Sequence, residues 1–102
     1  MTESTGYTYA NNLTNIREAL PARAIREVFE VYGFTWIVHG APLGGGRFSR
    51  KRYQVTEEST GLRLPGCDRD SADDVKDAAL GFLADTGEDR TAHVIASVLA
   101  KR

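Results

Sequence analysis

Four basic residues, Arg47, Arg50, Lys51 and Arg52, fall within six positions, interleaved and bounded by the aromatic Phe48 and Tyr53 and preceded by three consecutive glycines, Gly44, Gly45 and Gly46. Guanidinium and ammonium groups at this density attract phosphates and carboxylates. Aromatic rings beside them can stack on bases. The spacing therefore offers two binding chemistries, a grip on nucleic acid and a grip on an acidic protein partner. The plain structural alternative is a charged edge strand, which keeps sheets from pairing edge to edge. On a regular strand Arg50 and Arg52 share one face, and Arg47 and Lys51 share the other. Glu57 and Glu58 follow closely enough to offset part of the positive field.

The glycines do not make a nucleotide loop. A phosphate-binding loop ends in Gly-Lys-Ser/Thr and opens a helix, whose first amides hold the phosphates. Here Gly40, Gly44, Gly45 and Gly46 run into Arg47 and a strand. The expected result is a mobile hairpin loop over residues 40–46.

Other residues with chemical potential are sparse. Asp68, Asp70, Asp73, Asp74 and Asp77 form an acidic pole, but the spacing of a calcium loop is absent. Carboxylates at the start of a helix favour its positive end, and that accounts for them. His39 and His93 lie far apart, and Cys67 is the one cysteine. No disulfide within the chain is possible, and no thiolate metal cluster. A nucleophile needs a positioned base, and the spacing supplies none for Cys67. The sequence thus points away from an enzyme, a cofactor and a metal site.

These residues need a scaffold. The chain has 102 residues, 41 % of them hydrophobic and 26 % charged, which suits one globular domain. Its formal net charge is −1, so any attraction for polyanions must be local. The polar start of the chain lacks a signal pattern, and no apolar run approaches the roughly 20 residues of a membrane span. The expectation is a soluble, cytoplasmic protein without membrane contact.

Periodicity then assigns elements. Residues 1–10 are expected to be a flexible segment, with a short edge strand at Tyr7 and Tyr9, and residues 11–102 one α+β domain. Leu13, Ile16 and Leu20 suggest a short helix capped by Asn12 or Thr14. Pro21 opens a second helix over 21–32, with Ile25, Val28, Phe29 and Tyr32 on one stripe and Gly33 ending it. Residues 34–39 read as a strand, with Phe34, Trp36 and Val38 inward and Thr35, Ile37 and His39 outward. A second strand lies within 47–56. Phe48 is out of step with Tyr53 and Val55, which calls for a bulge or a late strand start. Residues 62–64 make a third strand, ended by Pro65 and Gly66. Ser71 caps a helix with Val75, Ala78, Ala79, Phe82 and Leu83 buried, and Gly87 ends it. A last helix spans about 89–100. The predicted fold is a three-stranded antiparallel sheet with helices on one face, in the order α-α-β-β-β-α-α.

The helix-strand-strand-strand-helix order over 21–84 resembles, in topology, that of double-stranded-RNA-binding domains. Those domains open their second helix with a lysine-rich phosphate grip, where this chain has Asp70, Asp73, Asp74 and Asp77. No binding residue carries over, and fold alone does not give function. The functional expectation is a small, non-catalytic protein-interaction or regulatory module, of the kind phage and mobile elements use to inhibit host complexes. The alternative is a nucleic-acid-binding protein that grips through the arm at residues 47–53.

Overall fold

The computed structural model of the chain describes residues 8–11, 16–20 and 22–101. Strands β1 (Thr8–Asn11) and β2 (Ile16–Ala19) pair antiparallel as a small sheet. A single 3-10 turn, Ala22–Ala24, leads into the main sheet. That sheet is an antiparallel meander of β3 (Ile25–Val31), β4 (Phe34–Gly44), β5 (Arg47–Glu57) and β6 (Arg63–Arg69), in that spatial order. Helices α1 (Ala72–Thr86) and α2 (Glu88–Ala100) follow. No helix among the described residues is long and apolar enough to cross a membrane.

The α+β class stands, but the predicted order is overturned. The main sheet has four strands, not three, and no α-helix precedes it among the described residues. Residues 25–31, expected within a helix, are a strand. Ile25, Val28, Phe29 and Tyr32 fit a helical stripe, yet the same segment also alternates. Ile25, Glu27, Phe29 and Val31 are half-buried, while Arg26, Val28 and Glu30 are exposed. Branched and aromatic side chains favour the second reading, and a lone short helix is marginal in water. Tyr32 and Gly33 form a two-residue hairpin loop with φ of 60° and 81°, both positive as a type I′ turn demands. The Tyr32 hydroxyl donates to the Leu83 carbonyl at 3.1 Å, which ties this unusual tyrosine to α1. Gly33 thus marks a hairpin and not a helix end. The likeness in element order to RNA-binding domains falls with that helix.

Further upstream, Ile16 lies in β2 and not in a helix. Leu13, its proposed caps Asn12 and Thr14, and Pro21 lie outside the described residues, as does Tyr7. Tyr9 is in β1.

β4 holds the molecule together because it is buried on both faces. Trp36 and Val38 pack with Val55, Leu64, Cys67, Val75, Ala79, Leu83 and Ile95 under the helices. Phe29, Phe34 and Phe82 border this cluster. The opposite face was expected to meet solvent, but Ile37 and His39 are fully buried. Ile37 packs against Leu20, Ile25 and Phe48. Ile25 reaches that face because β3 carries a bulge: Ile25 pairs with His39 and Glu27 with Val38. The extra residue, Arg26, shifts the alternation by one.

The seven-residue glycine loop is also corrected. β4 runs on through Gly44, and only Gly45 and Gly46 turn the chain, with φ of 62° and 78°. The bulge expected near Phe48 is present and large. Gly40 pairs with Tyr53 and Pro42 with Phe48, so residues 49–52 oppose Ala41 alone. β6 is longer than expected and includes Pro65 and Gly66. It is an edge strand, where a missing N–H is tolerated. α1 follows its prediction: the Ser71 hydroxyl accepts the Asp74 N–H at 3.1 Å, and Val75, Ala79 and Leu83 are buried.

Gly40 is the tightest point. A Cβ there would stand 2.2 Å from the backbone oxygen of Ser49. Gly40→Ala is therefore expected to destabilise the domain by about 1–3 kcal/mol. Urea unfolding measures this, and an unchanged midpoint would contradict the crossing of the two backbones.

Candidate functional site

The two bulges flank the same stretch of β4. β3 loses register opposite Val38 and His39, and β5 loses it between Gly40 and Pro42. Bulges re-aim side chains, and here they bring together basic residues that lie far apart in the chain. Arg23, from the 3-10 turn, Arg26, from the β3 bulge, and Arg50, from the β5 bulge, line one cleft of about 390 Å³. Ala24, Phe48 and Ser49 complete its walls, with no carboxylate among the described lining residues.

Backbone carbonyls and a ring hold the cleft. An Arg23 guanidinium N–H donates to the Gly46 carbonyl at 3.0 Å, which fastens the hairpin tip to the 3-10 turn. Arg26 donates to the Arg23 carbonyl at 2.9 Å and lies 5.8 Å from the centre of the Tyr53 ring. The Ser49 hydroxyl accepts the N–H groups of Lys51 and Arg52, both at 3.0 Å, and so closes the β5 loop on itself. A guanidinium has five N–H donors, so Arg23 and Arg26 keep donors for a ligand after these bonds.

The six residues singled out in the sequence play unequal parts. Arg50 lines the cleft. Arg47 and Lys51 are exposed, at the hairpin turn and in the β5 loop respectively. Arg52 pairs with Asp68 at 2.8 Å and with Asp70 at 2.9 Å, so its charge is locally matched. Phe48 packs into the cluster around Leu20 and Ile37. Tyr53 packs against the main core, and its hydroxyl donates to the Arg50 carbonyl at 2.9 Å. The expected split of Arg50 and Arg52 from Arg47 and Lys51 by strand face does not apply within an irregular loop.

Arg23 and Arg26 were not singled out in the sequence. Their segment reads as a helix, and a helix would carry them away from Arg50. The one available signal was the Tyr-Gly pair between two alternating runs, which marks a hairpin and makes 25–31 a strand.

The acids lie elsewhere. Glu57 does not offset the arm; it is buried, and its carboxyl oxygens accept from the N–H and hydroxyl groups of Ser59 and Thr60 at 2.7–3.0 Å. It builds the β5–β6 turn. Asp68 and Asp70 are the acids that meet the arm, through Arg52.

His39 and Cys67 are both buried, and His93 is exposed on α2. His39 Nδ1 lies 2.8 Å from the Gly40 carbonyl, and Nε2 lies 2.6 Å from the Thr56 hydroxyl. A carbonyl only accepts, so Nδ1 carries the proton and Nε2 of the neutral ring accepts from Thr56. Burial lowers the pKa of His39 from its ordinary 6.5, and the Arg63 charge lowers it further; the bond to the Gly40 carbonyl opposes both. Cys67 is buried, and burial pushes its thiol pKa up against the pull of Arg69. Among the described residues, no three His, Cys, Asp or Glu side chains come together as a metal site would require.

The chain matches no family model, no curated protein and no solved structure.

The His39 arrangement sets a pH dependence. The unfolded chain takes up a proton near 6.5 and the folded chain only at lower pH, so unfolding is favoured as pH falls. This contribution to stability is complete above about 6.5 and is lost progressively below it. Urea midpoints measured across this window should fall with pH, and His39→Gln should flatten the slope between pH 7 and 6. Thr56→Val leaves Nε2 without its donor and should cost about 1–3 kcal/mol. An equal slope in the His39→Gln variant would contradict the assignment.

Proposed function

We propose that the chain is a small, non-catalytic interaction module that holds an acidic segment of another protein in the cleft of Arg23, Arg26 and Arg50. The observation that carries this reading is that three arginines line one concavity, with no carboxylate among the described residues that line it. Guanidiniums bind carboxylates through paired N–H donors in fixed planes, so a cleft of this kind favours directed contacts over diffuse attraction. Arg47 and Lys51 are exposed nearby and add to the local field. Occupying the surface of a larger complex in this way would make the chain regulatory, and inhibitory where the complex itself needs the acidic segment.

Two features favour a compact acidic segment over nucleic acid. Phe48 and Tyr53 are each half-buried against a core cluster, which reduces the ring surface left to stack on single strands. A long polyanion leaving the cleft along the arm would also meet Asp68 and Asp70 beside Arg52. A short run of glutamates or aspartates ends before that point.

The test is a fluorescence-anisotropy titration with a labelled glutamate-rich peptide and with single- and double-stranded DNA and RNA, at low and moderate salt. The peptide should bind saturably, and Arg23→Ala/Arg26→Ala/Arg50→Ala should weaken it at least about tenfold. Arg52→Ala should leave it nearly unchanged, because that charge is already paired. Tighter binding of a nucleic acid, lost in the triple variant, would replace the partner class. Peptide binding that ignores the triple variant would overturn the site.

A further inference from the structure

A second concavity lies on the helix-covered side of the sheet. α2 buries only Thr91 and Ile95 fully, while Val94 is 43 % exposed. Between α1, α2 and the β5–β6 region this leaves a cavity of about 430 Å³. Its walls are largely apolar, with Trp36, Leu64, Phe82, Leu83, Val94 and Ile95 prominent. The volume falls in the range of small-molecule sites, which join an apolar body to a few placed polar groups.

Those polar groups are Arg63, Arg90, Thr86, Thr91 and Glu57. Arg63 and Arg90 are exposed, so their charges lie towards solvent. Arg63 is steadied by a bond to the Gln54 side-chain oxygen at 3.2 Å. The Thr91 residue is only 5 % exposed, and its hydroxyl oxygen is buried with no hydrogen-bond partner. A buried hydroxyl without a partner is uncommon and marks loose packing at this wall. Glu57 is the one acid among the described lining residues, and the Ser59 and Thr60 donors already occupy its oxygens. Its charge is therefore turned to its own loop.

We infer that this cavity binds a small amphipathic anion, a hydrocarbon carboxylate of roughly eight to twelve carbons. The hydrocarbon lies against Trp36, Leu64, Phe82 and Ile95. The carboxylate meets Arg90 and Arg63 at the solvent edge of the cavity. The flat apolar seam of a dimer would not call for two arginines beside a recessed volume. This site rests on residues separate from the cleft of Arg23, Arg26 and Arg50 and stands or falls independently of it.

Trp36 is the chain's single tryptophan and lines the cavity, so its emission reports occupancy. The whole chain would be titrated with decanoate, 1-decanol and decyltrimethylammonium below their aggregation limits. Decanoate should give a saturable change, with 1-decanol about tenfold weaker and the cation weaker still. Arg90→Ala should remove the preference for decanoate over 1-decanol. Val94→Phe, at a partly exposed wall position, should block uptake with the circular dichroism spectrum unchanged. Arg23→Ala/Arg26→Ala/Arg50→Ala should leave decanoate uptake as it is. Equal uptake of all three probes, no saturable change with any of them, or an unaltered preference in Arg90→Ala would overturn the inference. So would a concentration-dependent dimer, seen by sedimentation, that excludes decanoate.

Discussion

The passage of the Ser49 carbonyl across Gly40 is the constraint on which the rest of this structure depends. The two backbones approach so closely that no side chain fits at position 40. With that approach, β5 leaves the ladder at Phe48 and returns at Tyr53, and the excursion carries Arg50, Lys51 and Arg52 away from the sheet. The Ser49 hydroxyl then fixes the loop by accepting two of its N–H groups. On the other side of β4, the bulge at Arg26 opens the same region. Strict pairing on both sides would have spread the arginines over two faces. Two irregularities beside one strand gather them instead.

β4 can tolerate this because its own position is secured on both faces. Trp36 and Val38 are held under the helices, and Ile37 and His39 are buried opposite. The His39–Thr56 bond links β4 to β5 beneath the bulge, within a region that excludes water. Glu57 performs a similar service at the next turn, where a carboxyl group gathers the Ser59 and Thr60 donors. His39, Cys67 and Glu57 are all buried within the framework. On the helix-covered face the framework is less complete: α2 stands far enough from β6 to leave a cavity, and the Thr91 hydroxyl lacks a partner there.

How much of this was legible in the residues depends on which signals compete. The capped helix α1 was readable because the Ser71 cap, the early aspartates and the apolar stripe all agree. The strand at Trp36 was readable for the same reason. The misstep of Phe48 against Tyr53 left a bulge or a late strand start open, and the register shift in β5 is the bulge. Residues 25–31 were not readable from periodicity, since Ile25, Val28, Phe29 and Tyr32 satisfy a period of 3.6 while Ile25, Phe29 and Val31 satisfy a period of 2. Tertiary pairing with β4 decided between them. That one ambiguity also hid two-thirds of the arginine cleft, because Arg23 and Arg26 meet Arg50 only if the segment is extended. The burial of Ile37 and His39 was hidden for a related reason: an alternating strand looks half-exposed until the second face is known to be covered.

The central claim, that Arg23, Arg26 and Arg50 act together on one anionic segment, is tested most directly by following arginine side-chain N–H resonances while a glutamate-rich peptide is added. The account predicts that the Nε–H signals of Arg23, Arg26 and Arg50 shift together along one binding curve, while those of Arg52 and Arg69 stay nearly still. Small shifts spread evenly over all exposed arginines, or a response led by Arg52, would contradict it.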